Sequence, residues 1–423
     1  MLDTPHFRSA GHGGFIAARA MLSPAQERWR AVAEELAHDI LRPQAAAIDR
    51  DARYPKDNLD AIAGAGLLAL RIPVKWGGQG VDVVTSTAVT ETLAWGCAST
   101  AMCYHMHTCS LALITALSED EQVEQIVHPL TSGAQIATYA TSEPGSGSRW
   151  WHLDGHATRA GDEYVIEASK SFVTSAGHAD LYVIPVRATP FSHPNELSIF
   201  AVPGATPGIE PVGAWDAMGL RGNASTPVRF NQCRVPASAR LGPSGHGFAL
   251  MMAYALPVFH VGLAAVYLGI AQSAFEAAIS HVSARIHTDT GQPLATVETI
   301  QRYIAEMKLR LDQTRLTVYH VARLIDRMTV EHTDLIDAIE DNDFIMWIAA
   351  VKIIACEAAI AVCGQALQGC GGAGYKRGHV VERAYRDARA GSVMGPNDDA
   401  LKAILGQRLL GMPFPWEQRS AGR

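Results

Sequence analysis

The chain has 423 residues, too many for one ordinary compact domain, so two or three units sharing large cores are expected. Hydrophobic residues make up 48% and charged residues 18%, a balance that suits extensive burial, including against further copies of the chain. A net charge of -7 with no Lys/Arg block argues against a nucleic-acid partner, and seven cysteines without a C-x-x-C pair argue against a zinc or disulfide scaffold; small-molecule chemistry remains.

Residues 1–22 carry an apolar patch too short for a signal segment and are expected to form a flexible tail. With no membrane span expected, the reading is cytoplasmic. Residues 23–135 read as a helical domain. Ser23-Pro24 supplies a cap and first-turn proline, apolar residues then recur at three and four, and Pro43 is expected to interrupt that helix. Arg71 to Gly80 is a Gly-rich connector, and the following run to Leu117 reads as one long, buried helix.

From 136 to 242 the period changes to two, in short runs such as EYVIEA, LYVIPV and LSIFAV separated by Gly, Pro and Asn, which predicts a small β-domain. Residues 243–423 return to long helices joined by short loops, as in an up-and-down bundle. Cys356, Cys363 and Cys370 recur there at heptad spacing and read as a buried packing stripe; no metal site is expected. Gly369, Gly371 and Gly374 spell G-x-G-x-x-G, but they follow a helix instead of a strand, so NAD binding is not supported.

Four ordered stretches resemble the acyl-CoA dehydrogenase family: YATSEPGSGS (139–148), KSFVTSAG (170–177), MGLRGNASTPVRFNQCRVP (218–236) and ALQGCGGAGYKRGHVVERAYRDAR (366–389). The resemblance implies a mainly α fold with a central β-barrel or sandwich domain, an N-terminal helical domain and a C-terminal four-helix bundle. It also implies FAD, with Tyr139, Thr141, Ser142, Gly147, Ser148 and Asn397 around it, Phe172 against the flavin ring and Thr174 near its hydride-accepting nitrogen. Gln368, Gly371 and Gly372 match positions that meet the FAD of a neighbouring subunit, which implies a homo-oligomer, commonly a tetramer or dimer, and Arg285 matches an Arg directed toward the FAD pyrophosphate.

The resemblance breaks at the proton-abstracting base. Counting from Arg386-Asp387-Ala388, Gly395 stands where the family places its glutamate, and Phe259 occupies the alternative location, followed by His260. Substitute bases are His260, which titrates near neutral pH when solvated, and Asp398 or Asp399, which also read as first-turn acids of a helix. His105 and His107 can line the cavity or simply pack. Arg149-Trp150-Trp151 replaces the family's Asp and adds bulk near the expected substrate mouth.

Three functions follow. The first is an FAD-dependent dehydrogenase acting on an acyl thioester, on CoA or a carrier protein, with a relocated base and a separate electron acceptor. The second is a flavin-dependent monooxygenase or oxidase on the same scaffold, served by a flavin reductase and needing no glutamate. The third is a non-catalytic flavin- or acyl-binding partner subunit.

Overall fold

A computed structural model describes residues 21–331 and 342–416 of the chain; nearly all of the expected N-terminal tail lies outside them. The first helix among the described residues, Pro24–Leu36, opens with a reciprocal capping box. Gln26 donates its backbone N–H to the Ser23 hydroxyl, and Ser23 N–H donates to Gln26 Oε1 at 2.8 Å. Pro43 does not interrupt this helix as the sequence suggested. A π-turn, Ala37–Leu41, precedes Arg42–Asp51, and this wider register absorbs the missing proline N–H while the helix continues.

The long apolar run is two helices, not one. Val83–Gly96 and Ala98–Leu117 meet at Cys97, which is extended (φ -152°). A Cβ on Gly96 would stand 3.0 Å from the Ala37 backbone, so close packing on the start of the π-turn coincides with the break. Burial is as expected: every residue of Val83–Gly96 is buried.

Eight strands form one sheet between Ala137 and Leu241: β1 (Ala137–Tyr139), β2 (His156–Ala160), β3 (Glu163–Val173), β4 (Leu181–Arg187), β5 (Leu197–Pro203), β6 (Ile209–Pro211), β7 (Thr226–Pro236) and β8 (Arg240–Leu241). Their order is β6-β7-β3-β2-β4-β5-β8, with β1 parallel to β4. The β3–β7 ladder slips between Lys170 and Val173, and this bulge carries Phe172 at φ 53°.

Among the described residues the long C-terminal helices are Leu256–Ala284, Glu298–Glu331, Asn342–Gly374, Val380–Val393 and Asp398–Leu409. Val380–Val393 was not distinguished in the sequence from the motif around it. A Cβ on Gly269 would come 2.2 Å from the Glu91 carbonyl oxygen, so Leu256–Ala284 packs backbone to backbone on Val83–Gly96. Cys356, Cys363 and Cys370 are buried, as the packing stripe required. Two stretches, Gly247–Ala284 and Asp343–Gly374, are long and apolar enough by composition to cross a membrane, contrary to the sequence reading; 78% and 61% of their most apolar windows are buried inside the bundle.

Candidate functional site

A cavity of about 620 Å³ opens where the β-domain loops face the helices. Its polar wall comes from the sheet side: Thr141, Ser142, Ser148, Ser171, Thr174 and Ser225. Its apolar wall comes from the helices and the loop after Val393: Met106, Met251, Leu256, Phe259, Val393 and Met394. Such a two-faced concavity suits a ligand with a polar, planar part and an apolar part.

The polar wall is built by a buried ion pair. Lys170, on β3, places Nζ 2.7 Å from Glu143 Oε1 and 2.6 Å from the Pro185 carbonyl. Glu143 Oε2 accepts the N–H groups of Asp154 (2.6 Å) and Gly155 (3.0 Å). Burial alone would raise this carboxyl, but Lys170 and the two amides outweigh it and hold the pKa below the usual range. Among the described residues that line the cavity Glu143 is the one carboxylate, and it is occupied as a structural anion.

Next to it the bulge turns Phe172 outward. The residue is 70% exposed, and its ring meets Trp215 edge-on with centroids 6.4 Å apart. A non-glycine residue held in left-handed backbone costs on the order of 1 kcal/mol or more, a strain that clusters at binding sites. Thr174 shares a 2.9 Å hydrogen bond with Ser225, and the Thr174 carbonyl accepts the Thr138 hydroxyl at 2.7 Å. Tyr139 and Gly147 also line this side. An exposed, strained aromatic beside a row of hydroxyls fits an isoalloxazine ring and its ribityl chain.

Of the flavin-site residues expected from sequence, Tyr139, Thr141, Ser142, Gly147, Ser148, Phe172 and Thr174 line one cavity, together with Gly395. Asn397 stands just behind, donating to Ser148 Oγ at 2.9 Å while it caps Ala400 N–H at 2.8 Å. Arg285, Gln368, Gly371 and Gly372 are exposed and do not line it.

The expected substitute bases are not brought to the cavity. His260 is buried with Nδ1 2.8 Å from the Ile348 carbonyl, to which it donates, and burial pushes its pKa down to about 3. His105 is pushed by burial to about 3 as well, and both rings lie against Phe259, at 5.7 and 5.8 Å, with Phe259 forming the wall. His107 bridges the Leu68 carbonyl and the Ala137 N–H, each at 3.0 Å, as a core residue. Asp398 pairs with Lys352 at 2.8 Å, buried outside the cavity lining, and Asp399 is exposed in the first turn of Asp398–Leu409. The first-turn reading of these two acids therefore describes their placement.

Trp150 lines the cavity, as its position near the substrate mouth suggested. Its ring meets Trp151 (4.8 Å) and Trp416 (5.7 Å). Sequence reading missed Trp416 and Trp215, whose approach depends on tertiary folding alone.

Models of the acyl-CoA dehydrogenase N-terminal, middle and C-terminal domains match residues 23–134, 138–233 and 245–410 in turn. The chain belongs to the acyl-CoA dehydrogenase family. It is 32% identical over 377 residues to the mitochondrial short-chain specific acyl-CoA dehydrogenase of Homo sapiens, covering 89% of this chain and 88% of that protein. Identity to the mitochondrial isobutyryl-CoA dehydrogenase of Dictyostelium discoideum is 28% over 388 residues, covering 92% and 90%. The solved butyryl-CoA dehydrogenase of Megasphaera elsdenii superposes with a TM-score of 0.84 at 27% identity, covering 92% of this chain and 99% of that one. Members of the family are FAD-binding flavoproteins, and the fold and cofactor expected from the four motifs hold for this oxidoreductase.

Proposed function

We propose that this flavoprotein oxidises an acyl thioester, carried on CoA or a carrier protein, without a carboxylate at the usual base position. The observation that carries the reading is the cavity itself, with flavin-compatible groups on one wall and Met106, Leu256 and Phe259 facing them as an acyl-compatible wall. Similarity to short-chain and isobutyryl-CoA dehydrogenases supports a short thioester. FAD, when bound, supplies a hydride acceptor. Phe172 and Thr174 would orient its ring, and Tyr139, Thr141, Ser142, Gly147, Ser148 and Asn397 would hold the rest of it. Arg285, Gln368, Gly371 and Gly372, exposed on this copy, would complete the site of a neighbouring copy in a homo-oligomer.

One observation favours a second reading, oxygen-dependent chemistry. Glu143 is locked by Lys170 and Gly395 bears no side chain, so no free carboxylate among the lining residues takes a substrate proton. A flavin-dependent monooxygenase, whose flavin is reduced by a separate donor, has no need of that step, whereas an oxidase acting on the same thioester would still require it. Mixing the FAD-loaded protein with short acyl-CoA thioesters under argon separates the two. Loss of visible flavin absorbance supports dehydrogenation. Unchanged absorbance under argon, with substrate-dependent oxygen uptake and an oxygenated product once the flavin is reduced by an external donor in air, supports the second reading.

A further inference from the structure

Gly395 lines the cavity, yet its backbone does not require glycine, because its φ lies outside the left-handed region. Space does not require it either. Apart from its chain neighbours, a Cβ built there would meet only Ser142 Oγ, at 3.6 Å, an ordinary van der Waals contact. The missing side chain therefore leaves a recess in the cavity wall between Met394, Pro396 and Ser142.

The loop cannot recede to close or widen that recess. Lys352, fully buried on Asn342–Gly374, donates to the carbonyl of Met394 (3.2 Å) and to that of Pro396 (2.9 Å), one on each side of Gly395. Its charge is balanced by Asp398 at 2.8 Å. From the other direction Asn397 ties the loop to Ser148. With the backbone held on both sides of Gly395 and the Asn397 side chain tied to Ser148, the volume of residue 395 is exchanged directly against ligand volume.

We propose that Gly395 is a specificity-determining position, whose recess takes a branch or ring on the acyl chain of the substrate, and that Lys352 is the positioning residue that keeps the recess open. The inference rests on the acyl-thioester reading above. It narrows the substrate class to thioesters substituted close to the reacting carbons, where a straight chain leaves the recess unfilled and forfeits contacts.

The test is titration calorimetry of the FAD-loaded wild type and Gly395→Ala with butyryl-CoA, isobutyryl-CoA and cyclohexanecarbonyl-CoA. The wild type is expected to bind the branched and cyclic thioesters at least as tightly as butyryl-CoA. Gly395→Ala, which overfills the recess only when it is occupied, is expected to weaken those two by about tenfold and butyryl-CoA by less than about twofold. Equal weakening of all three, or of none, overturns the inference and leaves the acyl-thioester reading standing. Binding of none of the three by the wild type overturns both. The melting temperature and flavin content of Gly395→Ala are expected to match the wild type, and failure of this variant to fold contradicts the premise that the recess is empty.

Discussion

The ammonium of Lys352 lies 2.9 Å from the carbonyl oxygen of Pro396, so the helical core grips the backbone of the loop that carries Gly395. Lys352→Met removes this grip and leaves Asp398 as a buried charge without its cation, at an expected cost of about 3–5 kcal/mol. Asp398→Asn keeps an acceptor for Lys352 but leaves that buried ammonium without its counter-charge, and is expected to cost about 3–5 kcal/mol as well. Denaturant unfolding of both variants checks the two losses. A Lys352→Met variant as stable as wild type would contradict the role given to this residue.

Phe172 separates fold from cofactor. Phe172→Gly relieves a left-handed backbone while removing the ring, so the FAD-free protein is expected to be unchanged or stabilised by up to about 1 kcal/mol. FAD affinity is expected to drop by about tenfold or more, since ring contacts of this kind contribute on the order of 1 kcal/mol beyond burial. Melting of the FAD-free protein and flavin titration read the two effects separately.

Three buried histidines make the fold acid-sensitive. His105 and His260 are pushed to about 3 and His107 to about 4, by burial, from an ordinary value of 6.5. Between those values the unfolded chain binds more protons than the folded one, so stability falls as pH is lowered from about 6.5 toward 4. Each contributes up to about 1.4 kcal/mol per pH unit. His260→Asn can still donate to Ile348 and is expected to show a shallower loss of melting temperature with acid.

Asp387 works with the opposite sign. It accepts the Leu220 N–H at 2.6 Å, and burial raises its pKa from 3.8 to about 6. The folded state then holds the proton to higher pH than the unfolded one, so this group's contribution declines as pH rises from about 4 to 6, by at most about 3 kcal/mol. Asp387→Asn keeps the acceptor without the charge. Its stability relative to wild type is expected to rise across that window and level off above it; a difference independent of pH would contradict the assignment.

Local signals made much of the molecule legible. Ser23-Pro24 marked a helix start, the change of period marked the sheet, and the Gly/Ser loop at 139–148 and the strand carrying Phe172 marked the cavity's polar wall. What remained hidden depends on depth and on distant partners. Helical periodicity places His260 on an apolar face but cannot say that Phe259, not His260, forms the cavity wall. The break at Cys97 follows a close approach to Ala37, and Trp416 reaches Trp150 across 266 positions of chain, neither of which any local pattern records.

The most direct test of the account compares Gly395→Glu with wild type in anaerobic mixing of the FAD-loaded proteins with isobutyryl-CoA and butyryl-CoA. The proposed acyl thioester lies beside residue 395, where Glu143 is held by Lys170 and no other carboxylate among the described lining residues is present to take its proton. Restoring one should therefore speed the loss of flavin absorbance by at least about a hundredfold, the lower range for a positioned base, most clearly with butyryl-CoA, which leaves room for the new side chain. A Gly395→Glu protein that retains FAD and binds butyryl-CoA, yet bleaches no faster than wild type, would contradict it.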